Sequence, residues 1–156
     1  MKTNQEGIKL LHDFEKCVLT AYLCPSKVWT IGWGNTFYAN GSKVKEGDKI
    51  TQVEADNLFA TILKRFESDV ISLLKAKVNE NQFSALVSFA YNVGSDIDAD
   101  TIAEGLGDST LLKKVNKNPD DPTIATEFAK WKNAGGKPSN GLIRRRKAES
   151  NLYFKK

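Results

Sequence analysis

The chain has 156 residues, of which 40% are hydrophobic, 10% aromatic and 27% charged, the composition of a globular domain and not of a disordered or fibrous one. Folding at this length hides roughly 70% of the unfolded chain's surface, so neither a disulfide nor a structural metal is required. Two cysteines, Cys17 and Cys24, are too few for a disulfide framework, and a single histidine, His12, leaves no zinc-ligand spacing and no second candidate for a Ser-His-Asp base, so metalloenzyme and serine-hydrolase readings are weak.

The net charge is +4, weighted toward the C-terminal half, and suits an anionic polymer such as DNA, lipopolysaccharide or a phosphate-bearing wall without choosing among them. The opening MKTNQEGIKLLHDFEKC holds no apolar stretch long enough for a signal peptide, and no run approaches the roughly 20 residues of a membrane span. The expectation is a protein kept in the cytoplasm, which needs another component to reach any target beyond the membrane.

From Thr3 to about Asp13, Ile8, Leu10 and Leu11 behind polar capping residues predict a short helix ending near Glu15. His12 and Glu15, three apart on it, could present two metal ligands, but a plain helix surface is the simpler reading. Between Val18 and Phe37, β-branched and aromatic residues punctuated by Pro25, Gly32 and Gly34 predict two or three short strands with tight turns. Thr51-Gln52-Val53-Glu54 is a capping box, followed by Leu58, Ile62, Phe66 and Val70 at four-residue spacing, so a long helix runs from Thr51 to about Lys75. Some 25 helical residues span about 37 Å, more than a small domain needs, which points to a helix linking two lobes with a cleft between them.

Asn79 and Gln82 cap a second helix, whose Phe83, Leu86, Val87, Phe89, Ala90 and Val93 cover most of its circumference before Gly94 stops it; this is the expected centre of the C-terminal lobe. Ser95 to Gly107 reads as a loop with room for one helical turn. Further helices are expected at Ser109 to Asn116, Pro122 to Asn133 and Gly141 to Phe154. The run Arg144-Arg145-Arg146-Lys147 on the last of them is expected as a solvated face.

The stretch FEKCVLTAYLCPSKVWTIGWGNT, Phe14 to Thr36, resembles the phage lysozyme (endolysin) family, glycoside hydrolase family 24. The matching residues are Phe14-Glu15, Ala21-Tyr22, Cys24 and Thr30-Ile31-Gly32-Trp33-Gly34. Later blocks agree in order: Asn81-Gln82-Phe83, Asn92-Val93-Gly94, Ser109-Thr110-Leu111-Leu112, Trp131 with Ala134-Gly135-Gly136-Lys137, and Gly141-Leu142 with Arg145-Arg146 and Ala148-Glu149. The resemblance implies an α+β, lysozyme-like two-lobed fold in one catalytic domain, 1–156. Its N-terminal β-sheet lobe covers about 14–50, the linking helix about 51–76, and the helical C-terminal lobe about 77–156 with the N-terminal helix.

The same resemblance implies a catalytic set of Glu15, Cys24 and Thr30, substrate contacts at Tyr22, Thr36, Tyr91, Asn92 and Ser109, and no metal or cofactor. The chemistry gives these types a reason. Glycosidic cleavage needs a proton on the leaving oxygen while positive charge builds at the sugar carbon, and Glu15 can supply it. Cys24 stands where many relatives carry aspartate. A thiol with an unperturbed pKa of about 8.5 is only a few per cent ionised at neutral pH unless its surroundings lower that value, which leaves base, nucleophile and positioning group open. Thr30 could hold a water, since its hydroxyl donates and accepts at once. Gly32 and Gly34 would admit a glycan or another backbone closely. Lys16 replaces the family's glycine after the glutamate, and Asn35 its histidine before Thr36. Arg145 or Arg146 could pair with the active-site carboxylate or remain solvated.

The implied activity is hydrolysis of the β-1,4 bond between N-acetylmuramic acid and N-acetylglucosamine in bacterial peptidoglycan, by a monomer released through a holin-like membrane protein, with no nucleic acid and no stable membrane insertion. The alternatives are a lytic transglycosylase, in which the sugar's own hydroxyl attacks, and a catalytically silent wall-binding protein, for which the cysteine at the aspartate position and the basic C-terminal half speak. Aromatic residues interleaved with the basic run are few, which weighs against a nucleic-acid partner.

Overall fold

In the computed structural model, which describes residues 1–98 and 100–156, the elements run α1 (Gln5–Glu15), β1 (Val18–Leu23), β2 (Trp29–Gly32), α2 (Gln52–Leu73), α3 (Glu80–Val93), α4 (Thr110–Lys117), α5 (Ile124–Ala129), β3 (Asn133–Ala134), β4 (Lys137–Pro138) and α6 (Asn140–Tyr153). The architecture is α+β, as expected. The chain divides into two compact units, residues 11–65 and residues 1–10 with 66–156.

In the unit of residues 11–65, β1 and β2 pair antiparallel, with Val18 opposite Gly32, Tyr22 opposite Thr30 and Leu23 opposite Trp29. The register slips between Val18 and Tyr22, a bulge that re-aims the side chains beyond it. The other side of β1 is held by the segment 48–50, through Ala21 N–H to Asp48 O (2.9 Å) and Ile50 N–H to Leu19 O (2.9 Å). Of the two or three strands expected between Val18 and Phe37, two form, β1 and β2. Leu11, Ile31, Ala55, Leu58, Phe59 and Leu63 close the small core.

Helix α2 starts where the capping box placed it: Glu54 N–H donates to Thr51 Oγ1 (3.1 Å) and Thr51 N–H to Glu54 Oε1 (3.3 Å). Its 22 residues span about 33 Å. In helix α1 the Asn4 side chain accepts from Gly7 N–H (3.0 Å), satisfying one of the open donors of the first turn. Lys16 ends the helix at φ 52°, with its N–H still reaching His12 O (3.2 Å). That is the left-handed position after a helix that glycine fills without steric cost.

In the other unit α3 is central, with Phe83, Ala85, Leu86, Val87, Phe89 and Ala90 fully buried and both halves of the Asn79–Gln82 capping box formed. It packs against α6, which in turn meets α5. Phe89 stands edge-on to Phe128 and Trp131, with ring centroids 5.7 and 5.4 Å apart, and Phe128 against Tyr153 at 5.7 Å. Helix α4 begins one residue after its cap, Ser109. The loop between α3 and α4 contains no helix or strand among its described residues, and position 99 within it lies outside them.

Two expectations need correction. The helix foreseen from Pro122 to Asn133 is only Ile124–Ala129, because the chain turns back in a hairpin, Asn133 opposite Pro138 and Ala134 opposite Lys137. Gly135 and Gly136 at φ 58° and 80° make the two-residue turn whose twist suits such a ribbon. The basic run on α6 is not a solvated face: Arg145 and Arg146 are buried while Arg144 and Lys147 are exposed. Both buried arginines pair with Glu149, at 3.3 and 3.0 Å.

The backbone at Lys16 generates a stability prediction. Lys16→Gly should raise stability by about 1 kcal/mol by removing the Cβ clash of the left-handed conformation, a rise of roughly 2–4 °C in thermal midpoint for a chain of this size. A lowered midpoint by calorimetry would show that Lys16 holds the helix end through its side chain.

Candidate active site

The β1–β2 hairpin builds one chemical face. Tyr22 and Thr30 are directly opposed, and Cys24 follows Tyr22 by two residues, so the period-2 alternation of an extended chain turns all three to the same side. The turn after β1 is closed by Cys24 N–H to Val28 O (3.1 Å) and Lys27 N–H to Cys24 O (2.8 Å), with Lys27 at φ 60°. Thr30 is buried, and its hydroxyl donates to Val28 O at 3.0 Å. Burial pushes the Cys24 thiol up, but backbone hydrogen bonds from Val28 and Ser26 and side-chain hydrogen bonds from Thr30 and Ser26 outweigh it and hold the thiol below its ordinary value. Donors aimed at the sulfur favour the thiolate.

Glu15, the last residue of α1, is half-buried and lies directly against Gly34. A Cβ on Gly34 would overlap Oε2 of Glu15 and stand 2.9 Å from its carboxyl carbon. The close approach foreseen for the glycines is therefore made by the acid's own side chain and not by a second backbone, and the φ of +78° at Gly34 also excludes a side chain without strain. The turn is fixed from both sides. Trp33 stacks on His12 at 3.9 Å with the planes 15° apart, and its Nε1–H donates to Asp56 Oδ1 at 2.9 Å. Asn35, buried, accepts from Trp33 N–H (3.2 Å).

Tyr22 lies within electrostatic range of both Glu15 and Cys24. Its phenol is pushed up by burial and then by the negative charges of Glu15 and Cys24, so it senses both groups. The arrangement offers a carboxyl group that can donate a proton, a thiolate-prone sulfur that can take one, and a hydroxyl beside the sulfur.

The expected site residues separate into two sets. Glu15, Tyr22, Cys24, Thr30 and Thr36 belong to the unit of residues 11–65, and Tyr91, Asn92 and Ser109 to the other. Thr36 is half-buried, and its carbonyl accepts from Val44 N–H at 3.0 Å. The Tyr91 ring packs on Phe66 at 5.2 Å, which is a packing contact. Asn92 is exposed at the last turn of α3 and accepts through Oδ1 from Arg146 Nη2 at 2.6 Å. Ser109 is 1% exposed. Its hydroxyl donates to Leu106 O (2.6 Å) and accepts from Leu112 N–H (3.0 Å), so it caps α4 and keeps no donor for a sugar.

His12 is not on a plain helix surface: it sits between Trp33 and Phe59, and burial lowers its pKa against the pull of Asp56 and Asp13. The ligand-type clusters among the described residues are Asp96, Asp98 and Asp108, and Asp98, Asp100 and Glu104, in the α3–α4 loop and outside the hairpin. Asp96 Oδ2 organises that loop by accepting from the N–H groups of Glu104 (3.0 Å), Gly105 (3.2 Å) and Asp108 (3.3 Å).

Residues 12–149 match the family model described as phage lysozyme. The chain is 38% identical over 156 residues to the endolysin of Bacillus phage B103, covering 99% of this chain and 54% of that protein. Across four such phage endolysins it spans 54% to 61% of their length. Among solved structures, an endolysin from Escherichia coli O157:H7 phage FAHEc1 superposes with a TM-score of 0.83 at 31% identity, covering 99% of this chain and 94% of that one. The muramidase domain of SpmX from Asticaccaulis excentricus gives 0.80 at 30% identity, with 99% of each chain covered.

Two outcomes test this geometry. In a Cys17→Ser background, the rate of iodoacetamide alkylation against pH should inflect below the value of an unperturbed thiol, and Ser26→Ala or Thr30→Val should each move the inflection up; an inflection at or above the ordinary value sinks the donor argument. Gly34→Ala should cost at least about 1–2 kcal/mol from backbone strain and swing Glu15 out of its rotamer. A variant crystal structure with Glu15 unmoved would show that the contact carries no constraint.

Proposed function

The chain belongs to the phage lysozyme family, and from that premise we propose that it is an endolysin that hydrolyses β-1,4 bonds between N-acetylmuramic acid and N-acetylglucosamine in bacterial peptidoglycan. The observation that carries the reading is the hairpin face of Tyr22, Cys24 and Thr30, with Tyr22 feeling the charge of both Cys24 and Glu15 and the Glu15 carboxyl packed against Gly34.

In this mechanism Glu15 gives its proton to the glycosidic oxygen as the bond to the anomeric carbon breaks. A water supplies the oxygen that replaces the leaving group, and its proton passes to the Cys24 thiolate. Thr30, whose proton goes to Val28 O, offers its oxygen to orient the water, and Tyr22 lines the approach beside both groups. No cofactor enters the reaction. The whole chain acts as one catalytic domain, monomeric, held in the host cytoplasm until a holin-like protein opens the membrane. Among the described residues no helix is long and apolar enough to cross a membrane.

Glu15→Gln keeps the shape of the side chain and removes its proton. On purified peptidoglycan it should lose about 10²- to 10⁴-fold in lytic rate with an unchanged thermal midpoint. Activity within about tenfold of the wild type would move the general acid elsewhere. Product analysis of the wild type adds a second check: hydrolysis leaves new reducing ends, whereas anhydro sugars would make the enzyme a transglycosylase.

A further inference from the structure

The loop that joins α3 to α4 carries the carboxylates of Asp96, Asp98, Asp100, Glu104 and Asp108, none of which the glycan chemistry uses. Carboxylates on a surface loop ordinarily turn apart into water. Here two of them turn inward. Asp96 commits Oδ2 to the N–H groups of Glu104, Gly105 and Asp108, while its Oδ1 is a buried atom with no hydrogen-bond partner. Asp108 Oδ2 and Ser95 Oγ are likewise buried and unpartnered. Oxygens of Asp96, Asp98 and Asp108 lie within 4.8 Å of one another, and Asp98 also belongs to a second group of that span with Asp100 and Glu104. An ionised carboxylate has no proton to share, so oxygens withdrawn from water toward like charges need a cation as their partner. The backbone is shaped around this convergence: Leu106 N–H donates to Gly94 O (3.0 Å) and Gly107 N–H to Ser95 O (2.9 Å), and a Cβ on Gly107 would overlap Asp96 O.

We propose that the α3–α4 loop binds a divalent cation of calcium's size through Asp96, Asp98 and Asp108, with Asp100 and Glu104 adding charge beside it. Calcium takes oxygen ligands at about 2.3–2.6 Å in flexible geometry, so two such bonds end to end reach about 4.6–5.2 Å, the spacing these oxygens keep; magnesium demands shorter bonds and a strict octahedron. Asp96, Asp98 and Asp100 alternate as the first ligands of a calcium loop do, but Thr101 stands where such a loop usually has glycine. The bound ion would tie the end of α3 to Ser109, the cap of α4. The site is independent of the glycan-hydrolysis reading, since no reacting group belongs to it.

The test uses the full chain, freed of metal with a chelator and titrated with calcium chloride in a calorimeter. One ion per chain should bind with a Kd of about 10⁻⁴–10⁻³ M, the range of open, partly exposed sites, and magnesium should bind more weakly. Calcium at about ten times Kd should raise the thermal midpoint by roughly 3–6 °C. Asp98→Asn, at an exposed residue shared by both oxygen groups, and Asp108→Asn should each weaken binding at least about tenfold. Their calcium-free midpoints should be no lower than that of the wild type, because each removes a repelling charge; that readout separates a lost ligand from a damaged fold. Absence of saturable binding up to about 10 mM calcium overturns the proposal. So does a midpoint rise that sodium chloride reproduces at the same ionic strength, or full calcium affinity in either variant.

Discussion

The carboxylate of Glu149 is the interaction around which residues 66–156 are organised. It is completely buried, yet it lies between Arg145 and Arg146 and accepts from Ser88 Oγ at 2.6 Å. Arg145 also donates to the Ser88 carbonyl at 3.1 Å, so one carboxylate ties α6 to the central helix α3 through both side chain and backbone. A buried ion pair of this sort adds little net stability over a well-packed apolar core, but loss of one partner strands charge and costs about 3–5 kcal/mol.

The unit of residues 11–65 achieves order by different means, since its core is small and its hairpin short. Trp33 is clamped between His12 of α1 and Asp56 of α2, and Asp56 is held well ionised by that indole and by Gln52. The clamp places Gly34 under the Glu15 carboxyl. Beside it Lys16 sits in a left-handed conformation, an unfavourable choice for a lysine that persists where the surroundings over-determine the backbone. Glu15 thus has Gly34 against one side of its carboxyl and is followed in the chain by a strained residue.

Much of the architecture was legible because local signals agreed with it. The capping boxes at Thr51 and Asn79 set helix starts to within a residue, and the β-branched run after Val18 set the hairpin. The Asn133 to Pro138 ribbon was missed although Gly135-Gly136 is a strong hairpin signal, because the flanking strands are only two residues each and carry no alternation. Arg145 and Arg146 were misjudged for a physical reason: charge argues for exposure until a partner is known, and Glu149 shows itself only as the i+4 and i+3 neighbour on a helix already assigned to the surface. The catalytic candidates came from order and spacing of blocks. The donors to Cys24 did not, since Ser26 sits in a turn whose residue types signal nothing but a turn.

Those donors bear on why a thiol can occupy a position that many relatives give to a carboxylate. An aspartate is ionised at neutral pH without assistance, so its surroundings need only orient it. A thiol is mostly protonated there, and burial makes ionisation harder. For Cys24 to serve as a base, the fold has to reverse that tendency with groups that stabilise negative charge on sulfur. The turn from Cys24 to Val28 does so: backbone and hydroxyl donors of Val28, Ser26 and Thr30 lower the thiol against the pull of burial. In the proposed mechanism a thiol at this position is chemically tenable only with a loop that supplies the missing stabilisation, and the same donors would be redundant around an aspartate.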